Sequence, residues 1–158
     1  MMWEYIVLHH SLTADSDTVS WGAIRRYHTD PHGAYRMTDI GYHWGVELVN
    51  GYYEILVGRT LTEAGAHCKE GNMNRRGIGV CLIGNFDAVP PPSAQVERAV
   101  RLVSWLMAEF RIPRERIIGH RDAGLLAGAD WRKGEYKSCP GAQFDLEYFR
   151  GFLPPFLT

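Results

Sequence analysis

The chain has 158 residues, 46% of them apolar, with a formal net charge of −1. That length suits one domain burying roughly 70% of its unfolded surface, and the near-neutral charge offers no field for nucleic acid or an anionic membrane. No apolar run reaches the ~20 residues of a membrane span, the first residues lack a basic region, and three scattered cysteines make no disulfide framework. The expectation is a monomer made without a signal peptide and kept in a reducing compartment until released.

Residues 3–10 read as a buried strand ending in His9-His10-Ser11. Strand side chains alternate between faces, so only one of the two histidines joins a given site, and periodicity leaves the choice open. Val19-Ser20 looks like a helix start, with Ser20 as N-cap and Val19 stapling to Ile24. That helix carries Ile24, Tyr27 and His28 and stops before Asp30-Pro31. After a polar loop over 31–41, His43–Val49 and Tyr52–Val57 flank Asn50-Gly51, the signature of a type I′ hairpin. Arg59 to Arg76 reads as a long loop, the kind that often lines a binding site. Gly77 to Gly84 is apolar on both faces and reads as a central strand.

Ser93 then caps a helix whose stripe is Val96, Val100, Val103, Met107 and Phe110, widened by Leu106. A short strand over Arg116–Ile118 leads to His120. Asp145 caps a last helix that turns Leu146, Phe149 and Phe152 inward before Pro154-Pro155. There is no repeat. Strands alternating with helices but including a hairpin imply an α/β single domain: a central mixed β-sheet covered by helices on its faces.

Chemistry concentrates in two places. Gly119-His120-Arg121-Asp122 and Lys137-Ser138-Cys139-Pro140-Gly141 bring an imidazole, a thiol and an ammonium into a segment rich in turn formers, and the first strand delivers a histidine to its exposed end. Cys139 sits beside Lys137, and a nearby ammonium favours the thiolate. Two readings stay open from the residues: a cysteine nucleophile with a histidine base, or an open zinc site with N and S ligands. His67-Cys68 is a rival metal pair, although neighbours in an extended segment diverge. Cys81, in an apolar run, reads as core packing.

In combination these stretches are similar to the zinc-dependent N-acetylmuramoyl-L-alanine amidases of the type-2 amidase family, which share a superfamily with phage lysozyme-like amidases and peptidoglycan recognition proteins. The resemblance runs from about Glu4 to Phe149. It rests on Val7-Leu8-His9-His10-Ser11, Ala23–His28, Gly41-Tyr42-His43-Trp44, Gly65-Ala66-His67 with Asn74, Ile78–Phe86, Gly119–Asp122 and Lys137–Gly141. It implies one Zn2+ per chain held by His9, His120 and Cys139 in a cleft at one side of a sheet carrying about three main helices. Tyr42 and Lys137 match catalytic positions, and His67, Asn74 and His43 match positions in the substrate groove. The implied reaction is hydrolysis of the amide between the lactyl group of N-acetylmuramic acid and the L-alanine of a peptidoglycan stem peptide. A phage or prophage endolysin reaching the cell wall after membrane permeabilisation fits. The alternatives are a non-catalytic peptidoglycan-binding module, whose relatives typically lack the cysteine ligand, and a cytoplasmic muropeptide-recycling amidase, whose relatives generally carry Asp there.

Two departures from the phage-like pattern stand out. Ala123 to Tyr136 lengthen the loop between the ligand histidine and cysteine, and with Trp131 and Lys133 they are expected to form a rim or lid. No separate wall-binding module is expected. Arg75, Arg76 and Lys133 are candidate partners for acidic groups of the substrate.

Overall fold

The computed structural model describes residues 2–13 and 21–155. Its strands are β1 (Tyr5–His10), β2 (Trp44–Val49), β3 (Tyr52–Val57), β4 (Gly77–Leu82) and β5 (Ile117–Gly119). They form one sheet in the order β3-β2-β4-β1-β5, with only the β2–β3 hairpin antiparallel. The central position expected for β4 follows from its composition, since every residue of it is buried. Asn50 and Gly51 take φ of 51° and 84°, the paired left-handed conformations of the expected turn.

The helices are α1 (Trp21–Thr29), α2 (Met73–Arg76), α3 (Ser93–Phe110), α4 (His120–Leu126) and α5 (Leu146–Gly151). Alternation along the strands sorts the layers. Ile6, Leu8, Val46, Ile78, Val80, Leu82 and Ile117 pack with Ala99, Leu102, Val103, Leu106 and Met107 of α3 and Phe149 of α5. The other face carries two smaller clusters. In one, Val7 and Ile118 meet Cys68, Met73 and Ala123; in the other, Cys81 and Ile83 meet Trp21 and Ile40, with Tyr42 against them. One face is thus a dense apolar core that fixes the sheet. The other is thinner and interrupted by histidines.

Several expectations are corrected in detail. Ser93 is the first helical residue of α3, Pro92 stands at the cap, and no side chain caps that end. The buried face of α3 is rotated to include Gln95, Ala99 and Leu102, while Val100 and Phe110 are partly buried. Gln95 explains part of the rotation, because its Nε2 donates to the carbonyls of Val46 and Ile83 and ties the helix to β2 and to the end of β4. Phe152 is 52% exposed and stacks edge-on against Tyr148 instead of turning inward. Asp145 does cap α5, accepting from the Tyr148 amide at 2.9 Å. The short helices α2 and α4 fall where loops were expected. The proposed cap at Val19-Ser20 lies outside the described residues.

Candidate metal centre

The parallel pairing of β1 with β5 sets Leu8 opposite Gly119, so the next residues, His9 and His120, emerge side by side. Alternation sends His9 to the thinner face. His10 goes to the other face, where its Nδ1 accepts from the Phe86 amide at 3.1 Å. Cys139 is brought in by Arg121, whose amide donates to the Cys139 carbonyl at 2.7 Å. The Arg121 guanidinium donates to the carbonyls of Gly141 and Phe144 at 2.6 and 2.8 Å. Asp87, just beyond β4, accepts from the Ala142 amide at 2.8 Å, gripping the same loop from the other side. Asp122 reaches back to the Gly119 amide at 2.7 Å and starts α4. Each polar residue of Gly119–Asp122 therefore has a distinct structural task.

The result is a buried cluster of His9, His120 and Cys139 with their ligand atoms within 4.8 Å of one another. His9 Nδ1 lies 3.1 Å from His120 Nδ1 and 3.6 Å from Cys139 Sγ. Tetrahedral zinc with ordinary Zn–N and Zn–S bonds separates such donors by about 3.3 and about 3.6 Å. The donor set and spacing fit the metal.

Tautomers strengthen the fit. His67 Nε2 lies 3.0 Å from the Gly77 carbonyl, which can only accept, so that nitrogen carries the proton and His67 Nδ1 accepts. His9 Nε2, 3.0 Å from His67 Nδ1, is then the donor, and His9 Nδ1 is a bare lone pair aimed into the cluster. Burial, reinforced by His120, His67 and Lys137, holds His9 well below the usual histidine range. Burial first, then Lys137, lowers His120 to about 4. A neutral imidazole that aims a bare lone pair at a second imidazole and a thiol is placed as a metal ligand would be. Burial raises the Cys139 thiol to about 12, outweighing the His10 amide and the Lys137 ammonium that oppose it. The thiolate expected from Lys137 alone is thereby corrected, and a cysteine nucleophile without a metal loses its activation.

Tyr42 stands with its ring 5.1 Å from that of His9 and packs against the cluster that holds Cys81. Lys137 is exposed at the edge of the site, its Nζ 5.5 Å from the centre of the Tyr136 ring. His67, Asn74 and His43 are expected from the resemblance to line a substrate groove; in the structure His67 packs against His9, His43 lies beside His67, and Asn74 bonds to the His67 amide. Asn74 Oδ1 accepts from the His67 and Cys68 amides at 2.7 and 2.8 Å. His43 is fully buried, accepts from the Gly79 amide at 2.9 Å and reaches the Glu63 carbonyl at 3.3 Å. A Cβ at Gly79 would overlap the His67 ring, which accounts for a glycine in the middle of a central strand. Arg76 is engaged by Glu4 through two 2.8 Å contacts, which removes it from the candidates for substrate charge.

The sequence reading missed Glu70 and Tyr136. Tyr136 Oη lies 3.1 Å from His120 Nε2, and Glu70 Oε2 lies 3.7 Å from the same nitrogen. The only signal was their nearness in sequence to His67 and Lys137. The lengthened segment that ends at Tyr136 begins as α4 and continues through a 3-10 turn at Trp131–Lys133, where the Trp131 ring stacks under Arg121 at 4.7 Å.

Comparison with known proteins agrees with the class that the mixed sheet and its His-His-Cys cluster define. The amidase LysC of Clostridium intestinale URNW superposes with a TM-score of 0.70 at 22% identity, over 94% of this chain and 83% of that one. The N-acetylmuramoyl-L-alanine amidase family model (Amidase_2) matches residues 1–142, and the chain belongs to that family. Among curated relatives, the endolysin of Enterobacteria phage T3 is 34% identical over 113 residues, covering 68% of each chain. Peptidoglycan-recognition protein SC2 of Drosophila melanogaster is 31% identical over 126 residues, which is 76% of this chain. The chain spans 64% of the length of that relative.

Proposed function

We propose that the chain is a zinc-dependent peptidoglycan amidase that cleaves the bond between the lactyl group of N-acetylmuramic acid and L-alanine, working as an endolysin on the cell wall. The observation that carries the reading is the convergence of His9 Nδ1, His120 Nδ1 and Cys139 Sγ at zinc spacing beside Tyr42. Zinc held by these three would supply Lewis acidity and make water a nucleophile near neutral pH. The chain's own residues do the rest. His9 and His120 stay neutral and offer lone pairs, with His67 fixing the orientation of His9. Tyr42, half-buried and kept protonated, donates its hydroxyl hydrogen to the oxygen that gains charge. Lys137, exposed at the rim, brings a positive charge and a transferable proton to the departing amine side. His43 and Asn74 serve by holding His67 and its loop. Family membership and the phage T3 endolysin match support the substrate class.

The test incubates zinc-loaded protein with purified peptidoglycan, labels new α-amines and identifies the N-terminal residue. New N-terminal alanine is expected, abolished in Cys139→Ala and after chelation. Retention on the wall with no new amine would replace the amidase by a binding module.

A further inference from the structure

We propose that Glu70 and Tyr136 form the relay that orients His120, keeping its proton on Nε2 so that Nδ1 faces the metal position. The inference rests on the zinc reading above. Glu70 opens a 3-10 turn at Glu70–Asn72, while Tyr136 ends the lengthened segment after α4, so two remote pieces of chain meet at one imidazole. Tyr136 Oη is 3.1 Å from His120 Nε2, and the Glu70 carboxylate approaches the same nitrogen beside the phenol. An ionised carboxylate can only accept, so the phenol proton points to Glu70 and the Tyr136 oxygen is left to accept from Nε2–H. Glu70 Oε2, itself 3.7 Å from Nε2, adds a negative charge that favours the same arrangement. The seat of Tyr136 is built: a Cβ at Gly124 of α4 would overlap its ring.

Histidine ligands commonly donate their second N–H to a carboxylate, carbonyl or water, and loss of such a partner costs about 10–100-fold in metal affinity. His9 meets that need through His67 and Gly77, and Glu70 with Tyr136 does the same for His120 from a different part of the chain. Cys68, Glu70 and His120 also sit close enough to hold a second ion. Their present bonding favours the relay, because Cys68 Sγ donates to Glu70 Oε2 at 3.7 Å and the carboxylate already has its donors.

The experiment measures zinc affinity by chelator competition, zinc stoichiometry, and the His120 ring nitrogens by NMR in zinc-free protein. Wild type, Glu70→Gln, Tyr136→Phe and Cys68→Ala are compared. Glu70→Gln and Tyr136→Phe should each weaken zinc by about tenfold and shift His120 away from the Nε2–H tautomer, with one ion per wild-type chain and Cys68→Ala within about threefold. Unchanged affinity and tautomer in the first two variants would overturn the relay. Two ions in wild type, falling to one in Glu70→Gln or Cys68→Ala, would also overturn it and make the cluster a metal site. Weakened zinc in the variants supports the relay even if wild type leaves peptidoglycan intact, an outcome that sinks only the amidase. A wild type that binds no zinc defeats both.

Discussion

Tyr42 enters any chemistry here as a phenol. Burial, followed by Cys81 and Cys139, pushes its hydroxyl well above the ordinary tyrosine range, so near neutral pH it can donate a hydrogen bond but cannot act as a base. On the proposed reaction, Tyr42→Phe should lower kcat by about 10²–10³-fold, the size of one lost oxyanion donor, with zinc stoichiometry unchanged. Steady-state release of α-amines from peptidoglycan measures this, and a loss smaller than about threefold would take Tyr42 out of the chemistry. Which residues converge was legible where a motif sits on a regular element. Alternation on β1 required the two histidines to part, and they do, His9 toward Cys139 and His10 toward Phe86. The partners that set the tautomers were not legible. Glu70 and Tyr136 meet His120 through the paths of two irregular segments, and no local pattern encodes such a path. The ionisation of Cys139 was misread for a related reason: sequence displays the neighbouring Lys137 but not the burial that outweighs it.

At the scale of elements, the hairpin, β4 and α3 were legible because their signals are local: a turn dipeptide, an unbroken apolar run, and a long helical stripe. The short helices α2 and α4 were not, since four and seven residues are too few for periodicity to declare itself. Their value lies in what they hold. Asn74 in α2 accepts from two consecutive amides, those of His67 and Cys68, and so fastens the loop that delivers His67 against Gly79. Asn74→Ala should leave both partly buried amides without an acceptor and destabilise the protein by about 2 kcal/mol. For a chain of this size that lowers the melting temperature by about 4–8 °C. A shift under about 1 °C would mean that water replaces the side chain freely. If His67 acts by orienting His9, the same variant should also weaken zinc, linking a loop anchor to the metal through one imidazole.

For the molecule as a whole, the sheet divides structural and chemical work between its faces. The face under α3 is apolar and tightly packed, whereas the other face buries His9, His43 and His67 as neutral rings around the cluster. That burial has a consequence for stability against pH. Burial is the chief cause that lowers His43 to about 4 and His67 to about 3, with the His43 ring adding to the effect on His67. In the unfolded chain each titrates near 6.5, so as pH falls below about 6.5 the unfolded state takes up protons that the folded state refuses. The stability due to neutral burial is complete above pH 6.5 and is lost on acidification toward the folded values. For His43 alone the loss amounts to about 3 kcal/mol by pH 4. Carboxylates held low in the fold, such as Asp87, add to the decline only nearer the ordinary carboxylate range, so the histidine window between pH 6.5 and 5 stands apart. The melting temperature of metal-free protein at fixed ionic strength should therefore be level from pH 8 to 7 and fall steadily through that window. His43→Gln, which keeps an acceptor near the Gly79 amide but cannot titrate, should flatten part of the slope. A curve equally steep in both proteins would place the proton uptake elsewhere, and a level curve down to pH 5 would mean that these rings accept protons without leaving the fold.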